Sequence, residues 1–191
     1  AVYVAFFERA PDYAGLKYWA DQAGSGAVDF DLMRRLTNGF AQHPSYTAIY
    51  GGLSDSAFVD AIYLNIGGAP ADADGKAYWL ARLSGGMTRP DFIAQFILDL
   101  LSYSEATLDR LVREGVITAE DRVNALLRKN RLTNKAVVGL AFANTLGSAS
   151  NLGPGTDPND PVSLVADPAY RASAEIIADV TEDMATRVAA L

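Results

Sequence analysis

Apolar residues recur along this chain in steps of three and four, the spacing that lines one face of an α-helix. Met33, Leu36 and Phe40 form one such stripe, in a helix expected over about 29–42. Val59, Ile62, Tyr63 and Ile66 form a second, and Ile93, Phe96, Ile97, Leu100 and Leu101 a third. The third follows Thr88-Arg-Pro-Asp, which joins a capping hydroxyl to a proline in the first turn. Thr118-Ala-Glu-Asp121 reads as another capped start. From there a long helical stretch is expected to about Gly147, bent near Thr133-Asn134. Val123, Leu126, Leu127, Val137, Leu140, Ala141 and Phe142 supply its apolar surface. Residues 151–161, dense in Gly, Pro, Asp and Asn, read as a loop. Asp167-Pro168 starts a short helix and Thr181 caps a last one, with Val180, Met184, Val188 and Leu191 spaced to pack back on the core. No alternating β-branched run bounded by hairpin turns occurs, so the expected fold class is all-α.

Two stretches align at an offset of 60: YVAFFERAPDYAGLKYW at 3–19 and YLNIGGAPADADGKAYW at 63–79. Tyr3 falls on Tyr63, Asp12 on Asp72, Gly15 on Gly75, and Tyr18-Trp19 on Tyr78-Trp79. The chain has two tryptophans, and both lie on equivalent positions. This self-similarity predicts an internally duplicated multi-helix repeat. Copy one spans 1–51 and copy two 52–107. A C-terminal helical extension, 108–191, packs on both, and the whole forms one compact domain. Asp12 and Asp72 are expected to cap the helices that follow them. Gly24-Ser25-Gly26 and Ser84-Gly85-Gly86 end those helices, because glycine tolerates the left-handed cap.

Charge narrows the function classes. With 23 acidic residues against 16 Lys and Arg, the net charge is −7. That balance argues against a nucleic-acid binder, which needs a positive footprint over phosphates. It suits an acidic surface able to take cations such as calcium. The chain has no cysteine, which removes thiol catalysis and disulfide frameworks. No apolar run reaches the roughly 18 residues a membrane span requires. No signal peptide is visible, and Ala1 opens into what reads as a helix entered midway, as in a fragment of a longer chain.

Catalytic motifs are scarce. The single histidine, His43, sits in His-Pro-Ser before a helix start and reads as a surface or capping residue. No Gly-x-Ser-x-Gly elbow or phosphate-binding loop occurs. A carboxylate pair for hydrolysis is the third-ranked reading, since two acids can meet in space whatever their spacing. Binding has four candidates. Tyr18-Trp19 and Tyr78-Trp79 are either core rings with half-exposed tyrosines or sugar-stacking platforms. Arg128, Arg131 and Lys135 share one helix face beside Lys129; they form a solvated face or a docking patch for an anionic polysaccharide or acidic partner. Asp157, Asn159 and Asp160 form a turn or a weak calcium site lacking the usual twelve-residue loop. Asp72-Ala-Asp74 reads as capping more readily than as a metal site.

The motif Phe7-Glu-Arg-Ala-Pro-Asp-Tyr-Ala-Gly-Leu-Lys-Tyr-Trp19 resembles the bacterial 4214-type domain-of-unknown-function family. Its repeats read roughly Arg-x-Pro-Asp-x-x-Gly-x-x-Tyr-Trp. Asn134-Lys-Ala-Val-Val-Gly is similar to the family's downstream helix, and the segment from Val180 to Val188 to its closing one. Copy two departs at Gly67-Gly68-Ala69, where the arginine is missing. The helical repeat is also distantly similar to phycobilisome linkers. The resemblance implies a module of a large exported bacterial surface or secreted protein, beside calcium-binding repeats, adhesin-like or surface-layer regions, exported by a type I route. No catalytic residue is implied. The expected function is non-enzymatic: attachment of the parent protein to cell-surface polysaccharide, or a protein–protein scaffold or spacer contacting neighbouring domains.

Overall fold

Apart from the first helix, which follows Ala1, the helices of the computed structural model start after a polar side chain that accepts from an amide of the first turn. The structure describes residues 1–147 and 160–183. Helix α1 (Val2–Phe7) leads to α2 (Tyr13–Ala23), α3 (Phe30–Ala41) and α4 (Pro44–Tyr50). A second series follows: α5 (Asp55–Gly67), α6 (Ala73–Ser84), α7 (Arg89–Ser102) and α8 (Glu105–Arg113). The long α9 (Ala119–Phe142) passes into a π turn at Ala143–Gly147, and α10 (Pro161–Ala166) and α11 (Pro168–Ala178) follow. Among the described residues there is no strand, so the all-α expectation holds.

The caps read from the sequence are formed. Asp12 accepts from the Gly15 amide and Asp72 from the Gly75 amide, both at 2.7 Å. Thr88 accepts from the Asp91 amide. Thr118 and Asp121 exchange side-chain and backbone bonds as a reciprocal capping box. Each satisfies an amide that the first helical turn leaves without a partner. His43 caps α4 through Nδ1, which accepts from Ser45, and burial with nearby Arg9 lowers its pKa. Helix α9 is continuous through Thr133-Asn134. Leu101 faces solvent at 40 % exposure, because its neighbour Leu100 takes the core position. Met184, Val188, Leu191 and the loop through residue 159 lie outside the described residues.

One apolar core joins these elements. It includes Val4, Phe6, Met33 and Phe40 from the first series, Phe58, Ile62, Ile66, Phe92 and Ile97 from the second, Leu132 and Phe142 from α9, and Ile177 from α11. Helix α3 packs along α7, α1 along α5, and α9 lies across α5 and α1. Phe58 meets Phe92 edge-on at 5.8 Å, and Tyr50 meets Phe58 at 5.3 Å. The sequential series therefore share one interior and expose no separate cores.

Candidate functional site

The aromatic pairs occupy the same local setting in both stretches. Trp79 is buried at 4 % exposure and donates its indole N–H to the Tyr63 hydroxyl at 3.0 Å. Its ring packs on Phe92 and Phe96. Trp19 is partly buried and packs on Phe40 at 4.5 Å. Burial pushes both tyrosines up to about 12. Glycine under each hydroxyl makes room: a Cβ on Gly75 would lie 2.9 Å from the Tyr63 oxygen, and one on Gly15 would collide with that of Tyr3. Tyr18 and Tyr78 remain 56 % and 51 % exposed, each edge-on to its tryptophan.

A cavity of about 220 Å³ opens beside Trp19, lined by Tyr3, Leu16, Leu36, Phe40 and Leu140 among others. Its origin is legible in the sixty-residue alignment. Ala20 and Leu36 stand where the second stretch has Leu80 and Phe96, so two bulkier side chains are missing around the first tryptophan. The walls carry no charged side chain.

The basic residues of α9 face the protein rather than solvent. Arg128 Nη2 lies 3.3 Å from the Asp72 carboxylate, and its guanidinium sits 5.0 Å over the Tyr63 ring. Arg9 makes the same pair of contacts in the first stretch, 3.7 Å from Asp12 and 5.3 Å over Tyr3. Helix α9 thus supplies to the second stretch the arginine missing at Gly67-Gly68-Ala69. Those small residues are what admit it: a Cβ on Gly67 would lie 2.6 Å from Arg128 Cγ, and one on Gly68 would collide with Arg131. Gly68 also holds the left-handed cap conformation, φ 73°, that Glu8 adopts at φ 47° in the first stretch.

Arg131 pairs with Glu182 at 3.3 Å, and Lys129 donates to the Leu101 and Tyr103 carbonyls. Lys135 is buried, its Nζ 3.5 Å from the Asn65 carbonyl, and desolvation lowers its pKa against the pull of Glu8. The expected exposed basic face is therefore corrected. Arg128, Arg131 and Lys135 spend their charge anchoring α9 on the repeats, because that face of the helix also carries its buried Leu132 and Val138.

A neighbouring buried network has no counterpart in the sequence motifs. The Tyr50 hydroxyl bonds the Phe6 carbonyl at 2.9 Å and the Asn65 amide at 2.8 Å. Burial, then the charge of Glu8, raise the pKa of Tyr50. Of the suggested calcium site, Asp157 and Asn159 lie outside the described residues. Asp160 is exposed and accepts from the Val162 and Ser163 amides as the cap of α10. Among the described residues no group of three His, Asp or Glu is arranged to hold a metal ion, and no helix is long and apolar enough to cross a membrane.

The fold and these contacts define an all-helical domain whose aromatic and basic motif residues are built into its packing. Residues 37–98 match the family model described as Domain of unknown function (DUF4214), the family the sequence motifs resemble. The matched block runs from the last turns of α3 through most of α7, straddling the junction between the two stretches. No curated protein and no solved structure matches the chain.

Proposed function

We propose that this chain is a non-enzymatic structural module, a rigid helical spacer or scaffold within an exported bacterial surface or secreted protein. The observation that carries the reading is the double use of arginine: Arg9 and Arg128 each clamp a capping aspartate to the face of a tyrosine. The basic side chains that suggested ligand capture in the sequence are occupied in joining helices. The duplication inferred from the sequence adds support, since a copied unit with a shared core makes a stiff element between flanking domains. The absence of cysteine and the family resemblance favour the extracellular setting.

Attachment to cell-surface polysaccharide is the second reading, favoured by the exposed rings of Tyr18 and Tyr78. Stacking on such rings is a familiar mode for amphipathic aromatic side chains. A glycan array, followed by titration of any hit against Tyr18→Ala and Tyr78→Ala, separates the two. The scaffold reading expects no saturable binding. Binding abolished by those substitutions with melting unchanged would replace it with the second.

A further inference from the structure

The tyrosines that anchor the two stretches differ in what packs on them. Tyr63 carries the Arg128 guanidinium 5.0 Å over its ring, and the Phe96 ring stacks on it at 4.5 Å and 21°. Tyr3 carries Arg9 at 5.3 Å. Among the described residues it has no parallel ring, because Phe7 and Phe40 both meet it edge-on. Two positions account for the difference. Leu36 stands where the second stretch has Phe96, and Ala20 where it has Leu80. Phe40, aligned with Leu100, returns part of that volume by packing on Trp19 at 4.5 Å. The remainder is the cavity of about 220 Å³.

The walls set the class of ligand. Tyr3, Trp19 and Phe40 supply ring surface, and Leu16, Leu36 and Leu140 aliphatic surface. Ala136 and Gly139 line the cavity from α9 with almost no side chain, which keeps it wide. A Cβ on Gly39 would collide with the Trp19 ring, so glycine there lets the indole lie close against α3. Ala20 and Leu140 are exposed, which opens the rim to solvent. With few polar atoms in the lining, an apolar molecule gains more by entering than water does. Apolar cavities of about 150 Å³ accept benzene, so this one has room for a single ring with a short substituent. Drug-sized ligands occupy pockets of roughly 300–1,000 Å³ and are too large.

We propose that the cavity beside Trp19 binds a small, uncharged molecule of one aromatic ring, which stacks on Tyr3 as Phe96 stacks on Tyr63. Three ring walls favour an aromatic guest over a saturated one of the same size, through offset and edge-to-face contacts. A carboxylate on the guest would be desolvated against a lining that carries no charged side chain, so anionic rings are rejected. The site is independent of the scaffold reading. It would give a structural module a place to take up a small apolar compound.

Toluene is the probe, added to the full chain in thermal melting and in a nuclear magnetic resonance titration of the two indole N–H signals. At about ten times its dissociation constant it should raise the melting temperature by about 3–5 °C. The Trp19 signal should shift and saturate while that of Trp79 stays in place. Methylcyclohexane should bind several-fold more weakly, and benzoate should leave both readouts unchanged. Leu36→Phe and Ala20→Leu each put a side chain into the cavity, and each should abolish the toluene response. Two such variants guard against one failing to fold, which its own melting curve reveals. No saturable response to toluene, a response that survives both substitutions, or equal binding of methylcyclohexane or benzoate would overturn the proposal.

Discussion

Arg128 stands to Asp72 as Arg9 stands to Asp12: each guanidinium reaches a helix-capping carboxylate while lying over the tyrosine sixty residues from its counterpart. One arginine is local and the other arrives from a helix more than fifty residues downstream. The same pair of contacts is thus made from two different places in the chain. Both arginine side chains are largely buried, Arg9 at 13 % and Arg128 at 15 % exposure. Arg128→Ala should therefore cost about 1–3 kcal/mol, from lost stem packing, ring contact and charge pairing together. Arg128→Lys should recover little of it, because an ammonium lacks the planar fork. Urea unfolding of both variants checks this.

The glycines beneath the tyrosine hydroxyls make a sharper test. Gly75→Ala should destabilise by about 1–3 kcal/mol through overpacking against Tyr63. In a Tyr63→Phe background the cost of the added methyl should shrink. The double-mutant cycle should give a coupling of about 0.5–3 kcal/mol. Additive effects would show that the hydroxyl is not what keeps position 75 small.

The cavity beside Trp19 predicts a stabilising substitution. Leu36→Phe restores the ring that Phe96 supplies in the second stretch. A gain of roughly 0.5–2 kcal/mol is expected, as for other cavity-filling changes. Thermal melting against the unsubstituted chain measures it.

Tyrosine ionisation sets the alkaline limit. Tyr3, Tyr46 and Tyr63 are each raised from 10.0 to about 12, with burial the largest cause. The unfolded chain releases these protons first, so above pH 10 it binds fewer protons than the folded one. Stability is then fully present below pH 10 and falls as pH rises toward 12. The phenolate absorbance of the buried tyrosines should appear in a cooperative step coincident with unfolding. Independent titration of all tyrosines near their ordinary value would contradict the buried network.

Several features were legible because they depend on neighbours in sequence. Asp12, Asp72, Thr88 and Thr118 act on amides three residues away, so a cap can be read without knowing the fold. The stripes on α3, α5 and α7 report burial directly, since a surface helix shows its inner face as a period. Helix α9 was harder. It carries aliphatics on nearly every side, and periodicity alone does not say which line faces the core. The inward face turned out to be the one bearing Arg128, Arg131 and Lys135, charged groups that are rarely buried unless paired. Their partners, Asp72, Glu182 and the Asn65 carbonyl, come from distant segments. The Tyr50–Asn65 network is illegible in the sequence for the same reason.

A rigid spacer requires that both sixty-residue-related stretches and α9 unfold together. The variant Trp19→Phe leaves Trp79 as the sole indole, a probe inside the second stretch, while far-ultraviolet circular dichroism follows every helix. Urea titration of that protein should give the same midpoint and slope by both signals, the signature of a single cooperative unit. Two separated transitions, with the Trp79 signal changing apart from the helical one, would show that the stretches are independent bodies and contradict the shared core.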